Sequence, residues 1–88
     1  MACFVYVLGS GNGNGNGSGY RTYVGWTTDL DARLEKHNAG TGARSTRGRA
    51  WQLLYAERYL NRGEAMSREW HIKRDRKFRQ LLGLDWRR

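Results

Sequence analysis

The sequence predicts a small α+β fold, a three-stranded antiparallel sheet with its first strand central and about three helices against its faces. Apolar runs with a strand's two-residue period stand at 2–8, 20–26 and 51–59, and helical periods follow the second and third, giving strand, strand, helix, strand, helix, helix. The first run is apolar on both sides, with Cys3, Val5 and Val7 on one and Phe4, Tyr6 and Leu8 on the other, as suits a central strand covered from above and below. At 88 residues, without an internal repeat, the chain has room for one small core, and residues 1–88 read as one domain.

In order, residues 2–8 are β-branched and aromatic, hence a strand. Tyr6 carries the only hydroxyl there, and a buried phenol needs a hydrogen-bond partner. The Gly-Asn repeat at 9–19 cannot pack and reads as a flexible hairpin connection. Its root-mean-square span of roughly 18 Å exceeds what a turn needs, so it is either an expanded, tolerated loop or a mobile flap over a substrate. In 20–26, Tyr20, Thr22, Val24 and Trp26 alternate against Arg21, Tyr23 and Gly25.

Thr28 is then placed to cap a helix, with Asp31 three residues on, and Asp29 and Asp31 put negative charge in its first turn. Leu30, Arg33, Leu34 and His37 share one face, so an arginine and a histidine interrupt an apolar stripe. Gly40 supplies the stop. Residues 41–50 predict a basic surface loop, in which Arg44, Arg47 and Arg49 either meet backbone phosphates or are simply solvated. In 51–59, Trp51, Leu53, Tyr55 and Tyr59 fall on one face and Leu54 and Ala56 on the other. Asn61 can cap a helix over 62–74 whose stripe is Ala65, Met66, Glu69, Trp70, Ile72 and Lys73, with Glu69 the anomaly. A last helix over 75–82 carries Phe78, Leu81 and Leu82 and ends near Gly83, leaving 84–88 as a loose tail.

Charge narrows the partners. Sixteen Lys and Arg against eight Asp and Glu give a formal +8. Arginine dominates, and its planar fork suits phosphate, so the expected partner is nucleic acid, DNA before RNA. No long basic amphipathic helix with an aromatic seam speaks for a membrane. The single cysteine, Cys3, excludes an internal disulfide. With no secretory or transmembrane-length apolar run, this predicts a cytoplasmic protein, a monomer or a part of a larger repair or processing complex.

Taken singly, the odd residues have simple structural readings. Tyr6 and Tyr23 are sheet aromatics at a core edge. Arg33 snorkels over Leu30 and pairs with an acid such as Glu57. His37 favours a helix C-terminus, Glu69 is an i,i+4 partner of Lys73, and the tryptophans are chiefly core. Taken in order, Val5-Tyr6-Val7, Tyr23-Val24-Gly25, Arg33, His37-Asn38 and Glu69 within Ala-Met-Ser-Arg-Glu-Trp-His-Ile-Lys resemble the GIY-YIG nuclease superfamily, in its small single-domain bacterial branch. The resemblance runs from Phe4 to about Leu82. It departs in the Gly-Asn insertion, in Val5 where the first motif has glycine, and in Trp26 where some relatives carry lysine.

The resemblance implies a metal-dependent endonuclease. Glu69 would hold one Mg²⁺ (or Mn²⁺), which is satisfied by a single carboxylate plus waters and phosphate oxygens. Arg33 would grip the scissile phosphate, Tyr6 would take a proton from the attacking water, Tyr23 would orient it, and His37 would relay the proton. Trp26, beside that site, would stack a base, and Arg44, Arg47, Arg49 and Lys73 would meet the backbone. With no recognition domain, selectivity for structure or single strands is expected rather than for sequence. The alternative from another class is a non-catalytic binder of single-stranded DNA or RNA, and Glu69→Ala separates the two.

Overall fold

The computed structural model describes residues 2–11, 21–43, 48 and 50–87, without the side chains of 83–87. Its elements are β1 (Cys3–Ser10), β2 (Arg21–Thr27), α1 (Leu30–Asn38), β3 (Gln52–Tyr59), α2 (Arg62–Arg74) and α3 (Arg76–Arg87). The sheet order is β2-β1-β3, antiparallel throughout, so the doubly apolar first strand is central as expected. No helix among the described residues is long and apolar enough to cross a membrane.

β1 separates two clusters. Cys3, Val5 and Val7 pack with Val24, Ala65 and Ile72, with Phe78 and Leu82 from α3 closing that side. Tyr6 and Leu8 pack with Trp51 on the other side, under Leu30 and Leu34 of α1. The helix periods of the sequence therefore bury the two faces of one strand.

Several expectations are corrected. β1 continues through Gly9 and Ser10, which pair with Thr22 and Arg21, so the connection begins later than residue 9. Most of the Gly-Asn repeat, like Tyr20, lies outside the described residues. The cap of α1 is Asp29, whose carboxylate accepts from Ala32 N–H at 3.1 Å, rather than Thr28. Thr27 Oγ1 in turn accepts from Asp29 N–H, fixing the entry to the helix. In β3 the register slips between Val7 and Leu8, which pair with Tyr55 and Leu53. The extra residue reverses the alternation, so Trp51 joins the Tyr6 cluster while Leu54, Tyr55 and Tyr59 join the other. α2 begins and is capped as predicted, Asn61 Oδ1 accepting from Glu64 N–H, but it buries Ala65 and Ile72 and leaves Met66 and Trp70 exposed. α3 runs past Gly83 to Arg87, because one glycine costs a helix only about 1 kcal/mol and the residues beyond it resume the helical pattern.

Arg79 joins the last two helices to the sheet. Its guanidinium donates to the Ile72 and Lys73 carbonyls at the end of α2 and to Thr22 Oγ1 on β2. The α2 helix is thereby held at a fixed height against the edge strand.

Candidate active site

Tyr6 points from β1 across β2, and the backbone makes room for it. A Cβ on Gly25, its register partner, would lie 2.5 Å from the Tyr6 hydroxyl oxygen and 3.1 Å from Tyr23 Cε2. The glycine of the Tyr23-Val24-Gly25 motif is thus a demand for space. Tyr23 lies two residues back on the same face, its ring 6.3 Å from that of Tyr6.

The α1 helix adds the polar partners. Arg33 Nε donates to the Tyr6 oxygen at 3.4 Å, and the guanidinium also bonds Tyr23. His37, fully buried, brings Nε2 to 3.0 Å from the Tyr6 oxygen and its ring to 4.7 Å from Tyr23. Arg33 and His37 thus converge on one phenol because they stand one turn apart on the inward stripe. The chain after α1 holds the histidine from behind. Gly40, at φ 81°, opens a Schellman turn in which Gly40 and Thr41 donate back to His37 and Lys36 carbonyls. A Cβ on Gly42 would sit 2.6 Å from His37 Nδ1, so this turn too requires a glycine for space.

Electrostatics assign proton positions. Burial, helped by the Arg33 charge, lowers the His37 pKa below its ordinary value, so the imidazole is neutral near pH 7 and Nε2 can accept. Burial raises the Tyr6 phenol above its ordinary value of 10; the Arg33 hydrogen bond pulls the other way, and Tyr23 and Glu69 add to the rise. At rest Tyr6 is a neutral phenol. Its oxygen takes the Arg33 hydrogen bond, and in the Nδ1–H tautomer of His37 its proton is donated to Nε2.

Glu69 comes from the opposite layer. Arg62 lays its guanidinium 5.1 Å over Trp26 of β2, and Arg68 pairs with Glu57 of β3, so α2 turns one shoulder to each edge. Glu69 falls on the β2 shoulder, 19% exposed and 3.7 Å from Lys73 Nζ, close enough for its charge to act on Tyr6. Among the described residues no three His, Cys, Asp or Glu side chains gather as a metal cage. A lone carboxylate suits a Mg²⁺-type ion that keeps its waters, and does not suit a zinc site.

The structure therefore gathers Tyr6, Tyr23, Arg33 and His37 around one hydroxyl, with Glu69 within electrostatic reach. Trp26 is not on their face; it packs on the α2 side and borders a concavity of about 430 Å³ with Cys3, Thr28, Leu60 and Arg62. Arg44, Arg47 and Arg49 lie outside the described residues. Among the described residues Arg33 forms no ion pair, and Glu57 pairs with Arg68 instead.

Two structural roles went unread in the sequence. Asn38 Nδ2 donates to the Trp51 carbonyl and Asn38 Oδ1 accepts from Trp51 N–H, joining the end of α1 to the start of β3. The only local signal was an asparagine beside His37. Glu57 accepts from Tyr55, from Tyr59 at 2.6 Å and from both arms of Arg68 at 2.9 and 3.1 Å. An acid between two tyrosines at alternate strand positions was the available sign.

Comparison with known proteins gives the family to which the chain belongs. The model of the GIY-YIG catalytic domain matches residues 2–81. A UPF0213 protein of Oceanobacillus iheyensis is 42% identical over 60 residues, which cover 67% of this chain and 70% of that one. A UPF0213 protein of Clostridium perfringens is 49% identical over 53 residues, 59% of this chain and 57% of that one. The solution NMR structure of a UPF0213 protein from Bacillus halodurans aligns with a TM-score of 0.48 and 38% identity, covering 96% of this chain and 85% of that one. With the family model running from the start of β1 into α3, this protein belongs to the GIY-YIG family.

Proposed function

We propose that the protein is an endonuclease that hydrolyses phosphodiester bonds with one divalent cation, Mg²⁺ or Mn²⁺, on Glu69, acting on DNA before RNA and on structured or single-stranded substrates. The observation that carries the reading is the Tyr6 hydroxyl, set between Arg33 Nε and His37 Nε2. A phenol in that position can give its proton to neutral His37 and take one from a water attacking phosphorus. Arg33 stabilises the phenolate in passing and offers its remaining N–H groups to the phosphate oxygens. Tyr23, bonded to the same guanidinium, holds its direction and can orient the water. The cation, when bound, supplies charge stabilisation to the phosphate oxygens and to the leaving alkoxide. Lys73, Trp26 and the arginines at 44, 47 and 49 are proposed contacts to the strand. Such contacts make binding weak and steeply salt-dependent. The same reading places the protein in the cytoplasm, as a monomer or within a repair or processing complex.

The test is cutting of end-labelled single- and double-stranded DNA and RNA, with Mg²⁺ or with chelator, by wild type, Glu69→Ala and Tyr6→Phe. Each substitution is expected to slow Mg²⁺-dependent cutting by about 10²–10³-fold while leaving binding in place. A Glu69→Ala protein that cuts at the wild-type rate would falsify the assignment and leave a basic single-strand binder.

A further inference from the structure

Trp70 has no part in the chemistry above, yet it is 55% exposed on the helix that carries Glu69. The buried stripe of that helix is Ala65 and Ile72, so the large ring contributes nothing to the core. It is nonetheless held. Arg74, one turn on, sets its guanidinium carbon 4.3 Å from the ring centre, and the His71 ring meets it edge-on at 5.1 Å. An indole fixed by a cation on its face and left open to solvent is the arrangement used to stack nucleobases.

Its position agrees. From the buried stripe toward the β2 shoulder, the helix presents Glu69 and Lys73 first, then Trp70 and Arg74, about 100° further round. Trp70 therefore lies about 100° round the helix from the acid, turned to solvent on the side away from the sheet. Lys73 is paired with Glu69, which leaves Arg74 as the positive charge at the ring, and the chain as a whole carries a formal +8. A second copy would bring the same charge against itself, whereas a polyanion is attracted.

We propose that Trp70, backed by Arg74, is a stacking platform for an unpaired base of a single-stranded nucleic acid. That the same strand is also held and cut at Arg33 rests on the nuclease reading; the binding itself does not. Stacking needs a free base face, which a duplex hides, so the platform makes the protein selective for single strands.

The experiment is fluorescence anisotropy of a labelled oligo-dT and a labelled duplex in chelator, so that binding is read without cutting. Trp70→Ala is expected to weaken oligo-dT binding roughly tenfold and to leave duplex binding within about twofold. Trp70→Phe is expected to recover most of the loss. The slope of log affinity against log salt should stay unchanged, because no phosphate contact is removed. Equal weakening of both ligands, or of neither, overturns the proposal. So does sedimentation showing a wild-type dimer that Trp70→Ala dissolves, which would make a second copy the occupant. Matched circular dichroism spectra confirm that the exposed substitution leaves the fold intact. Cutting by Glu69→Ala, measured separately in Mg²⁺, tests the nuclease reading alone.

Discussion

On the α2 face of the sheet, Tyr55 and Tyr59 converge on Glu57 with Arg68; on the α1 face, Tyr6 and Tyr23 converge on Arg33 with His37. Two phenols and one guanidinium appear in each, and the fourth member decides what the set can do. A carboxylate accepts from all three partners and is satisfied. Burial works against the Glu57 charge, but the Arg68 fork and the two hydroxyls hold its pKa down to about 2. Every proton there has one place to be. On the other face the shared group is a phenol, which both donates and accepts, and its neighbour is a neutral imidazole able to take a proton. The saturated set is a brace. The unsaturated one has somewhere to move a charge.

This contrast can be broken or sharpened by experiment. The largest stability effect is expected from Glu57→Ala, which strands Arg68 and two phenols. Arg68 is 39% exposed, so water screens part of the loss, and about 2–3 kcal/mol is expected, read as a fall in Tm of roughly 10–20 °C. Tyr6→Phe should shift stability by less than about 1 kcal/mol, because only one hydroxyl is removed. If Tyr6→Phe proved the more destabilising of the two, the division between brace and site would be wrong.

Gly25→Ala is expected to come next. The added methyl must displace the Tyr6 hydroxyl, costing about 1–2 kcal/mol of stability, and it moves the phenol off Arg33 and His37, so cutting should fall more than tenfold. Unchanged cutting in a folded Gly25→Ala protein would remove the phenol from the mechanism.

Acid gives the finest comparison. The folded pKa of His37 lies below its ordinary 6.5, so the unfolded chain binds the extra proton first, and the stability held by the neutral ring declines as pH falls below about 6.5. The Glu57 contribution is complete above its ordinary 4.5 and is lost between there and about pH 2. Urea unfolding across pH should therefore show two declines, with His37→Asn removing the upper one and Glu57→Gln the lower. One decline insensitive to His37→Asn would show that the site face does not couple to protons in this way.

The sequence made legible what is local or ordered along the chain. The asparagine cap of α2, the glycine stop of α1, the doubly apolar first strand and the shared face of Arg33 and His37 follow from periods and caps. The candidate site residues were picked by their order rather than by any spacing, since Tyr6 and Arg33 meet only after the chain has turned back. What stayed hidden depends on register. Leu53 and Leu54 carry no mark of which one bulges, yet that choice moves Trp51 to the other cluster. Thr27, Thr28 and Asp29 can each cap, and only the backbone entering α1 selects the aspartate. Glu57 meets Arg68 from another element, and the room made by Gly25 exists only once β1 and β2 are paired.

The reciprocal Asn38–Trp51 pair has a consequence for how such a protein can diversify. It ties the end of α1 to the start of β3, so beyond Gly42, whose turn backs His37, added chain length is not felt by the helix and strand it joins. Enlarging a closed bight costs little, the entropic toll growing only with the logarithm of its size. Segment length can thus change between Gly42 and Trp51 while Tyr6, Tyr23, Arg33, His37 and Glu69, all mounted outside it, keep their places.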